Sequence, residues 1–333
     1  MDILHSFSEL GDWSDRPVVF TVGFFDGVHR GHQALVRTLT DTAREYAADS
    51  LLITFANSPR GFHQPDRRFP YLTMPEEKLH LLKGLGIDAT LMLDYDAGVA
   101  ANTAAEFIGL INAQAPVKAL VIGYDSRFGC DMVGGLAGFT ELTEKLGLGL
   151  RFVEAVTYDD RPVKSRETRE LTRRGRMADV RSVLGHPYFA IGTVRHGKGK
   201  GGRELSIPTA NLVMPPQKLC PPVGIYAGVA EVAGRRYPAA MCVMTAEVHV
   251  RTALENGGES LIAPLEPMDT TVIEAHLLDF TGSLYGQVIK VDFIKHLRGW
   301  VDFASPAELL TRIERDIAET RAVVSAEPGL LEV

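Results

Sequence analysis

Two histidines separated by two residues stand at the start of a predicted helix. The segment Gly23-Phe24-Phe25-Asp26-Gly27-Val28-His29-Arg30-Gly31-His32 follows an apolar stretch typical of a buried strand. A helix N-terminus presents unpaired backbone N–H groups and a partial positive charge, which suit phosphate. Gly27 and Gly31 let the backbone approach a ligand closely, and His29 and His32 share one helix face. The two histidines could donate hydrogen bonds to phosphate oxygens and stabilise the charge on a phosphorus under attack.

Two other interpretations of this segment are open. It could be a glycine turn with two incidental histidines, or it could hold half of a zinc site. The position between glycines and after an apolar strand favours the phosphate site. No further cluster of metal ligands is evident in the sequence, which speaks against zinc.

A second group of candidate residues lies in the second half of the chain. Residues 196–203 form a basic, glycine-rich loop that could wrap phosphates with backbone N–H groups and lysines. If the chain is extended beyond it, Thr209 and Asn211 point to the same side, and their oxygens suit Mg²⁺. Glu274, in an alternating segment at 272–280, could accept a proton from an attacking hydroxyl. From the pattern alone, a solvated position on an antiparallel strand explains Glu274 better.

The elements predicted around the histidines alternate between strand and helix. This alternation is typical of βαβ units and predicts an α/β domain with a doubly wound parallel sheet. Thr103 is a plausible N-cap. The predicted strands are 17–23, 51–55, 89–93, 119–123 and 150–156, and the predicted helices are 32–48, 76–85, 103–113 and 136–146.

The second half has a different pattern. Strand-like runs at 189–194, 225–232, 271–278 and 288–294 follow one another without helices, which predicts a small antiparallel β-barrel. A C-terminal helix follows, with a capping box at Ser305 and Glu308, a proline at its first position, and an apolar stripe. We place the domain boundary near residue 186, giving domains 1–186 and 187–333.

Composition narrows the class of protein. The 333 residues are 45% hydrophobic and 23% charged, which is ordinary for globular domains. A net charge of -7 argues against a nucleic-acid partner. Three widely spaced cysteines fit a reducing compartment. We see neither a secretory signal nor an apolar run long enough to span a membrane, so we expect a cytoplasmic protein without a membrane partner. The sequence leaves the oligomeric state open.

The motifs together resemble a known enzyme family. The segment ending in His29-Arg30-Gly31-His32 resembles the H-x-G-H signature of nucleotidyltransferases. It is most similar to the first domain of bacterial bifunctional riboflavin kinase/FAD synthetases, and Gly123–Gly129 resembles a second motif of that domain. Pro208–Asn211, the strand around Glu274, and a stretch from Leu284 to Phe303 resemble the riboflavin kinase domain, a six-stranded barrel with a C-terminal helix.

The resemblance implies two Mg²⁺-dependent reactions, with riboflavin, FMN and ATP as small-molecule partners. The second domain would phosphorylate riboflavin to FMN, and the first would adenylylate FMN to FAD. Glu274 would be the base for the kinase, Thr209 and Asn211 would hold Mg-ATP, and His29 and His32 would serve adenylyl transfer. Further nucleotide contacts are implied for Gly23, Phe25, Asp26, Gly27, Gly31, Asp125, Arg127, Ser165, Arg169, Gly199, Lys200 and Pro208, and flavin contacts for Arg298 and Phe303.

Three segments depart from the family pattern. After the second predicted strand the family has a histidine, but the corresponding segment here, Phe55-Ala56-Asn57-Ser58-Pro59, contains none. Two hydroxyl positions of its ATP-contacting segment are Lys164 and Arg166, and its Asn-Ile-Gly segment on the flavin side is replaced by Met241–Val248. Because of these departures, two alternative functions stay open: an enzyme with one silent domain, and a flavin- or nucleotide-binding regulator without catalysis.

Overall fold

The computed structural model describes residues 1–195, 208–245 and 271–332. The chain divides into two compact units, Met1–Ser165 and Arg166–Val333. The domain boundary predicted near residue 186 stays a prediction.

The first unit contains a six-stranded parallel sheet with the order β1-β4-β3-β2-β5-β8. Its strands are β1 Asp2–Leu4, β2 Val18–Val22, β3 Asp49–Phe55, β4 Ala89–Leu93, β5 Val117–Gly123 and β8 Gly149–Val153. The short strands β6 Arg127–Phe128, β7 Val133–Gly134, β9 Thr157–Tyr158 and β10 Arg161–Pro162 form two hairpins beside it. A 3-10 helix spans Phe7–Trp13.

Helices cover both faces of this sheet because successive strand residues point to opposite sides. One core contains Val19 and Leu52 with Leu39 of α1 and Leu82 of α3. The other contains Phe20 and Ile53 together with residues of α5 and α6. The helices are α1 Arg30–Glu45, α2 Pro59–His63, α3 Pro75–Lys83, α4 Ala97–Ala100, α5 Ala104–Asn112 and α6 Gly135–Leu146. The predicted doubly wound parallel sheet is confirmed, and Thr103 caps α5 by accepting from the Glu106 N–H at 3.2 Å.

The second unit is built around a closed antiparallel barrel with the strand order β11-β12-β15-β14-β13-β16. Its strands are β11 Tyr188–Arg195, β12 Ala210–Met214, β13 Gly224–Val232, β14 Arg235–Thr245, β15 Thr271–Leu277 and β16 Val288–Gly299. Helices α7 Ser165–Arg173 and α8 Met177–Leu184 precede the barrel, α9 Pro306–Ser325 follows it, and a 3-10 helix spans Pro328–Leu331. The predicted barrel and C-terminal helix are confirmed.

The C-terminal helix packs on the outside of the barrel. Val324 of α9 lies in one apolar cluster with Val229 and Ile294 of the barrel. At its start, Ser305 accepts from the Glu308 N–H at 3.2 Å, as predicted. The Glu308 carboxylate accepts from the Ala304 N–H instead of closing the box on Ser305. The capping box predicted here is therefore only half formed.

Candidate active sites

The strand order of the parallel sheet changes direction between β2 and β5. Sheets of this kind bind ligands outside the carboxyl ends of their strands at such a point. The loop after β2 leads into α1, whose N-terminus carries the two histidines, while the loop after β5 carries Tyr124 and Asp125. Two motifs that lie about ninety residues apart in the sequence therefore meet at one edge of the sheet.

His29 is the N-cap of α1. Its Nδ1 accepts the backbone N–H of His32 at 3.3 Å, and the two imidazole rings stack with their centroids 3.6 Å apart. Because Nδ1 accepts, a neutral His29 ring carries its proton on Nε2, where it can be donated to a phosphate oxygen. A Cβ at Gly31 would lie 3.2 Å from the His29 ring, so the absence of a side chain at Gly31 makes room for this ring.

His32 is held as a neutral imidazole. Burial lowers the pKa of His32 well below its usual value, and the charges of His29 and Lys78 lower this pKa further. Its Nδ1 is buried and has no hydrogen-bond partner in the part of the chain that the structure describes. A buried polar atom without a partner costs free energy, which a ligand that bonds to it would recover.

Hydrogen bonds to the segment before α3 hold the loop between β2 and α1 in place. The Asp26 carboxylate, on a residue that is 2% exposed, accepts the N–H groups of Leu72 at 3.1 Å and Thr73 at 3.0 Å. The Gly27 N–H donates to the Thr73 hydroxyl at 2.9 Å. On the other side, the Ser165 hydroxyl donates to the Asp26 carbonyl at 2.9 Å. Asp26 and Ser165, both predicted to contact nucleotide, thus shape the loop; their contacts with nucleotide stay predictions.

Two non-glycine residues of this loop have left-handed backbone conformations. Phe25 has φ 52° and Val28 has φ 41°, with Gly27 at φ 82° between them. Such conformations cost about 1–3 kcal/mol each for residues with a Cβ and cluster at ligand-binding loops. Phe25 is 2% exposed, and its ring centroid lies 5.1 Å from that of His32. The nucleotide contact expected for Phe25 stays a prediction.

Lys164 lies beside the loop after β5. Its ammonium is 3.7 Å from the Asp125 carboxylate and 5.3 Å from the Tyr124 ring centroid. The bond to Tyr124, followed by the charges of Tyr124 and Asp125, raises the pKa of Lys164. A cation thus stands beside one of the predicted nucleotide contacts.

Three other residues predicted to contact nucleotide are Gly23, Arg127 and Arg169. Gly23 directly follows β2, and its N–H donates to the Ile53 carbonyl at 3.0 Å. Arg127 is exposed on β6, and Arg169 lies on α7 in the second unit. Their nucleotide contacts stay predictions.

On the barrel, Asn211 and Glu274 are direct neighbours. The register of β12 and β15 pairs Asn211 with Glu274, and the register of β14 and β15 pairs Glu274 with Cys242. The alternate residues Leu212 and Ile273 are 0% exposed and fill the interior, so this row faces outward. The two residues, which are 63 positions apart in the sequence, are therefore neighbours on adjacent strands, and their roles in catalysis and metal binding stay predictions.

Burial raises the pKa of the Glu274 carboxyl. Among the described residues 1–195, 208–245 and 271–332, the structure records no hydrogen bond or ion pair to its carboxylate. Burial also raises the pKa of the neighbouring Cys242 thiol, and the charge of Glu274 adds to this effect. Cys242 therefore stays protonated, and Glu274 is the stronger candidate for accepting a proton in this row.

Thr209 lies just before β12, next to Pro208. The ring of His276, two residues beyond Glu274 on the same strand, bonds to the Pro208 carbonyl through Nδ1 at 2.8 Å. This bond ties the Pro208–Thr209 segment to the strand that carries the candidate base. Gly199 and Lys200 lie outside the described residues, so their contacts stay predictions.

The two predicted flavin contacts lie near the start of α9. The Arg298 guanidinium donates to both carboxylate oxygens of Asp316 on α9, the shortest bond being 2.7 Å. Arg298 stands opposite Ile225, which stands opposite Cys242, so it is three strands from Glu274, roughly 14 Å along the sheet. Phe303 lines a cleft of about 370 Å³ together with residues of the first turns of α9, namely Ala307, Glu308, Thr311, Arg312 and Arg315.

The comparisons with known proteins match both halves of the chain. The FAD synthetase family model matches residues 12–167, and the riboflavin kinase family model matches residues 184–324. A bifunctional riboflavin kinase/FMN adenylyltransferase from Pseudomonas fluorescens is 31% identical over 93% of this chain and 94% of its own length. The enzyme of the same description from Escherichia coli (strain K12) is 30% identical over 95% of this chain and 96% of its own length.

The chain belongs to the bifunctional riboflavin kinase/FMN adenylyltransferase family. It is a transferase in which an FAD synthetase domain precedes a riboflavin kinase domain, as the motifs predicted. A crystal structure described as a macrolide-efflux protein from Streptococcus pneumoniae is also similar, with a TM-score of 0.80, 25% identity, and coverage of 96% of this chain and 98% of that one. Over the described residues, no helix combines the length and the apolar character that crossing a membrane requires.

Hydrogen bonds hold the segment after β3, which departs from the family pattern, against the residues that follow β4. Asn57 bonds to the backbone of Tyr95 at both ends, accepting from N–H at 2.6 Å and donating to the carbonyl at 2.9 Å. Ser58 caps α2. A histidine does occur in this region, since His63 at the end of α2 bonds to the Tyr95 hydroxyl at 3.1 Å. The segment thus keeps polar and aromatic groups at the carboxyl ends of β3 and β4.

Two residues with structural ties to these family sites escaped the sequence analysis. The alternation of the strand puts His276 on the same face as Glu274, but nothing in the sequence indicates its bond to Pro208. Lys78 was not singled out, because a lysine in a helical segment is normally exposed. Its spacing of four residues from the buried Leu82, which puts both on one helix face, was the available signal.

Proposed function

We propose that this protein makes both flavin cofactors in sequence. Its barrel transfers the γ-phosphoryl group of ATP to the terminal hydroxyl of the ribityl chain of riboflavin, giving FMN. Its parallel-sheet unit transfers AMP from ATP to the FMN phosphate, giving FAD and pyrophosphate. The observation that carries this proposal is the pairing of Asn211 with Glu274 on one outward face of the barrel, in a chain that also holds two stacked histidines at a strand-order reversal.

In the kinase step, Glu274 accepts the proton of the riboflavin hydroxyl as its oxygen attacks the γ-phosphorus. Desolvation has made this carboxylate more basic than an exposed one, so the proton transfer is less unfavourable. Phe303, which lines the cleft at the start of α9, would contact the flavin ring, as the family resemblance implies. Arg298, whose guanidinium is bound to Asp316, would support this side by fixing α9 to the barrel.

The metal implied by both reactions fits the residues present. The Thr209 hydroxyl and the Asn211 amide oxygen are hard, uncharged ligands of the kind that share Mg²⁺ with phosphates. Mg²⁺ bound there would neutralise phosphate charge. The protein's own contribution is to hold these oxygens next to Glu274, through the β12–β15 register and the His276–Pro208 bond.

In the adenylyl-transfer step, the FMN phosphate is itself the nucleophile, so no side chain has to be activated. His29 donates from Nε2, and the ring of His32, whose buried Nδ1 has no partner among the described residues, stacks on it at 3.6 Å. With the free N–H groups at the start of α1, they stabilise negative charge that grows on the α-phosphate oxygens. Lys164 adds a cation where the family has a hydroxyl, and charge-assisted bonds to phosphate are about twice as strong as neutral ones.

The test is turnover by the purified wild-type protein. One reaction contains riboflavin and Mg-ATP, another contains FMN and Mg-ATP, and the products are separated by chromatography. We expect FMN in the first and FAD with pyrophosphate in the second. FMN without FAD would establish the single-activity rival, and neither product, together with tight flavin binding, would establish the regulator. The reducing, cytoplasmic location predicted from the composition suits these substrates.

A further inference from the structure

Lys78 is an almost completely buried lysine between two strands of the nucleotide site. It lies on α3 and is 1% exposed. Its amine donates to the Phe55 carbonyl at 2.8 Å and to the Thr54 hydroxyl at 3.1 Å. The Thr54 hydroxyl in turn donates to the Phe24 carbonyl at 3.1 Å, and the Lys78 amine lies 4.2 Å from the Phe24 ring centroid. The amine therefore binds the end of β3 directly and, through the Thr54 hydroxyl, is linked to the segment that follows β2.

These strand ends are the points where the site's loops begin. Phe24 is the second residue after β2 and lies at the start of the loop that leads to His29, and Phe55 is the last residue of β3. The same region is held a second time by Asp26, through its bonds to Leu72 and Thr73 just before α3. The histidine loop is thus held at two points, once by the backbone N–H groups of Leu72 and Thr73 just before α3 and once, through Thr54, by the amine of Lys78 on α3.

We infer that Lys78 is a positioning residue for FMN adenylylation: its amine, through Thr54, ties the carboxyl end of β3 to the start of the loop that leads to His29 and His32. This inference rests on the proposed function of the first unit. A displacement of about 1 Å of a positioned group can cost roughly 100-fold in rate, so a bond that fixes the loop's origin matters to catalysis.

Electrostatics adds a second effect of the same residue. Besides burial, the charges of His29 and Lys78 lower the pKa of His32. The charge of Asp26 raises the pKa of Lys78 and so partly opposes the effect of burial on that lysine. Burial lowers the pKa of Lys78 to about 7. A neutral amine still has two N–H groups, which match its two acceptors. Below this pKa the ammonium charge helps to keep His32 unprotonated.

The test compares the full-length protein with Lys78→Met, which keeps the length of the side chain but removes the amine. Lys83→Met, at an exposed position of the same helix, is the matched control. We expect Lys78→Met to lower kcat for FAD formation about 10- to 100-fold, with less than a threefold change in KM for ATP. Riboflavin phosphorylation by the same protein should stay within twofold. The imidazole NMR signal of His32, identified by its loss in His32→Gln, should titrate at a higher pH than in wild type.

Thr54→Val provides a second variant in case Lys78→Met does not fold. It removes the hydrogen bonds through which Thr54 links Lys78 to the Phe24 carbonyl but leaves the amine in place, so we expect a lower kcat for FAD formation without a change in the His32 titration. The inference is overturned if wild type makes FAD and a folded Lys78→Met keeps its kcat and its His32 titration unchanged, or if only Thr54→Val folds and it makes FAD at the wild-type rate. Failure of the proposed function would look different, because wild type itself would make no FAD, while the His32 titration would still report on Lys78.

Discussion

The burial of Lys78 predicts a pH dependence of stability that can be calculated. Its pKa is about 7 in the folded protein and 10.5 when exposed, so the unfolded chain binds an additional proton between these values. The free energy of unfolding therefore rises with pH across this window, by at most about 1.4 kcal/mol per pH unit. The whole shift corresponds to about 5 kcal/mol, and the part between pH 7.5 and 9.5 to about 2.5 kcal/mol.

The assay measures denaturant unfolding of the first unit at several pH values. The chain has two tryptophans, and Trp13 is 4% exposed in the core of the first unit while Trp300 lies in the second. A Trp300→Phe background makes fluorescence report on the first unit alone. In Lys78→Met the contribution of Lys78 disappears, whereas groups common to both proteins cancel in the difference. The stability difference between the two should thus change by about 2.5 kcal/mol from pH 7.5 to 9.5, and parallel curves would refute the assignment of a depressed pKa to Lys78.

Three further predictions concern the kinase domain. Because burial raises the pKa of Glu274, the rate of FMN formation should fall with acid at a pH above the usual carboxyl range near ~4.3, and this acid limb should be absent from the residual activity of Glu274→Gln. Thr209→Val should raise the ATP and Mg²⁺ concentrations needed for half-maximal rate while leaving the melting temperature nearly unchanged; a lower melting temperature with unchanged KM would make Thr209 structural. His276→Leu removes the bond to Pro208 and should raise KM for ATP about fivefold, the equivalent of one hydrogen bond of roughly 1 kcal/mol, with unchanged KM as the contrary result.

The sequence predicted the fold best where one physical signal dominates. The apolar run at Ala89–Leu93 forms β4 with the predicted bounds, because a strand buried on both faces has no competing pattern. Strand β1 at Asp2–Leu4 was missed because three residues with little burial carry no periodicity. Strand β14 at Arg235–Thr245 was missed because two arginines, a proline and two alanines weaken its strand propensity.

The candidate sites followed a similar rule. Residues of one short motif, such as His29 and His32, could be placed on one helix face from spacing alone. The pairing of Asn211 with Glu274 depends on the register between β12 and β15, which no local pattern specifies, and it became an expectation only through the family resemblance. The contacts of Lys78 and His276 join segments more than twenty residues apart, so they emerge only from the folded chain.

The central claim is that one chain carries two separate phosphorus chemistries. The most direct measurement is a crossed assay of wild type, His32→Ala and Glu274→Gln, each given riboflavin with Mg-ATP and, separately, FMN with Mg-ATP, with chromatographic detection of FMN and FAD. We predict that His32→Ala still makes FMN but no FAD, and that Glu274→Gln still makes FAD from FMN but forms FMN about 10²- to 10⁴-fold more slowly. Loss of both activities in either variant, or of neither, would contradict the account.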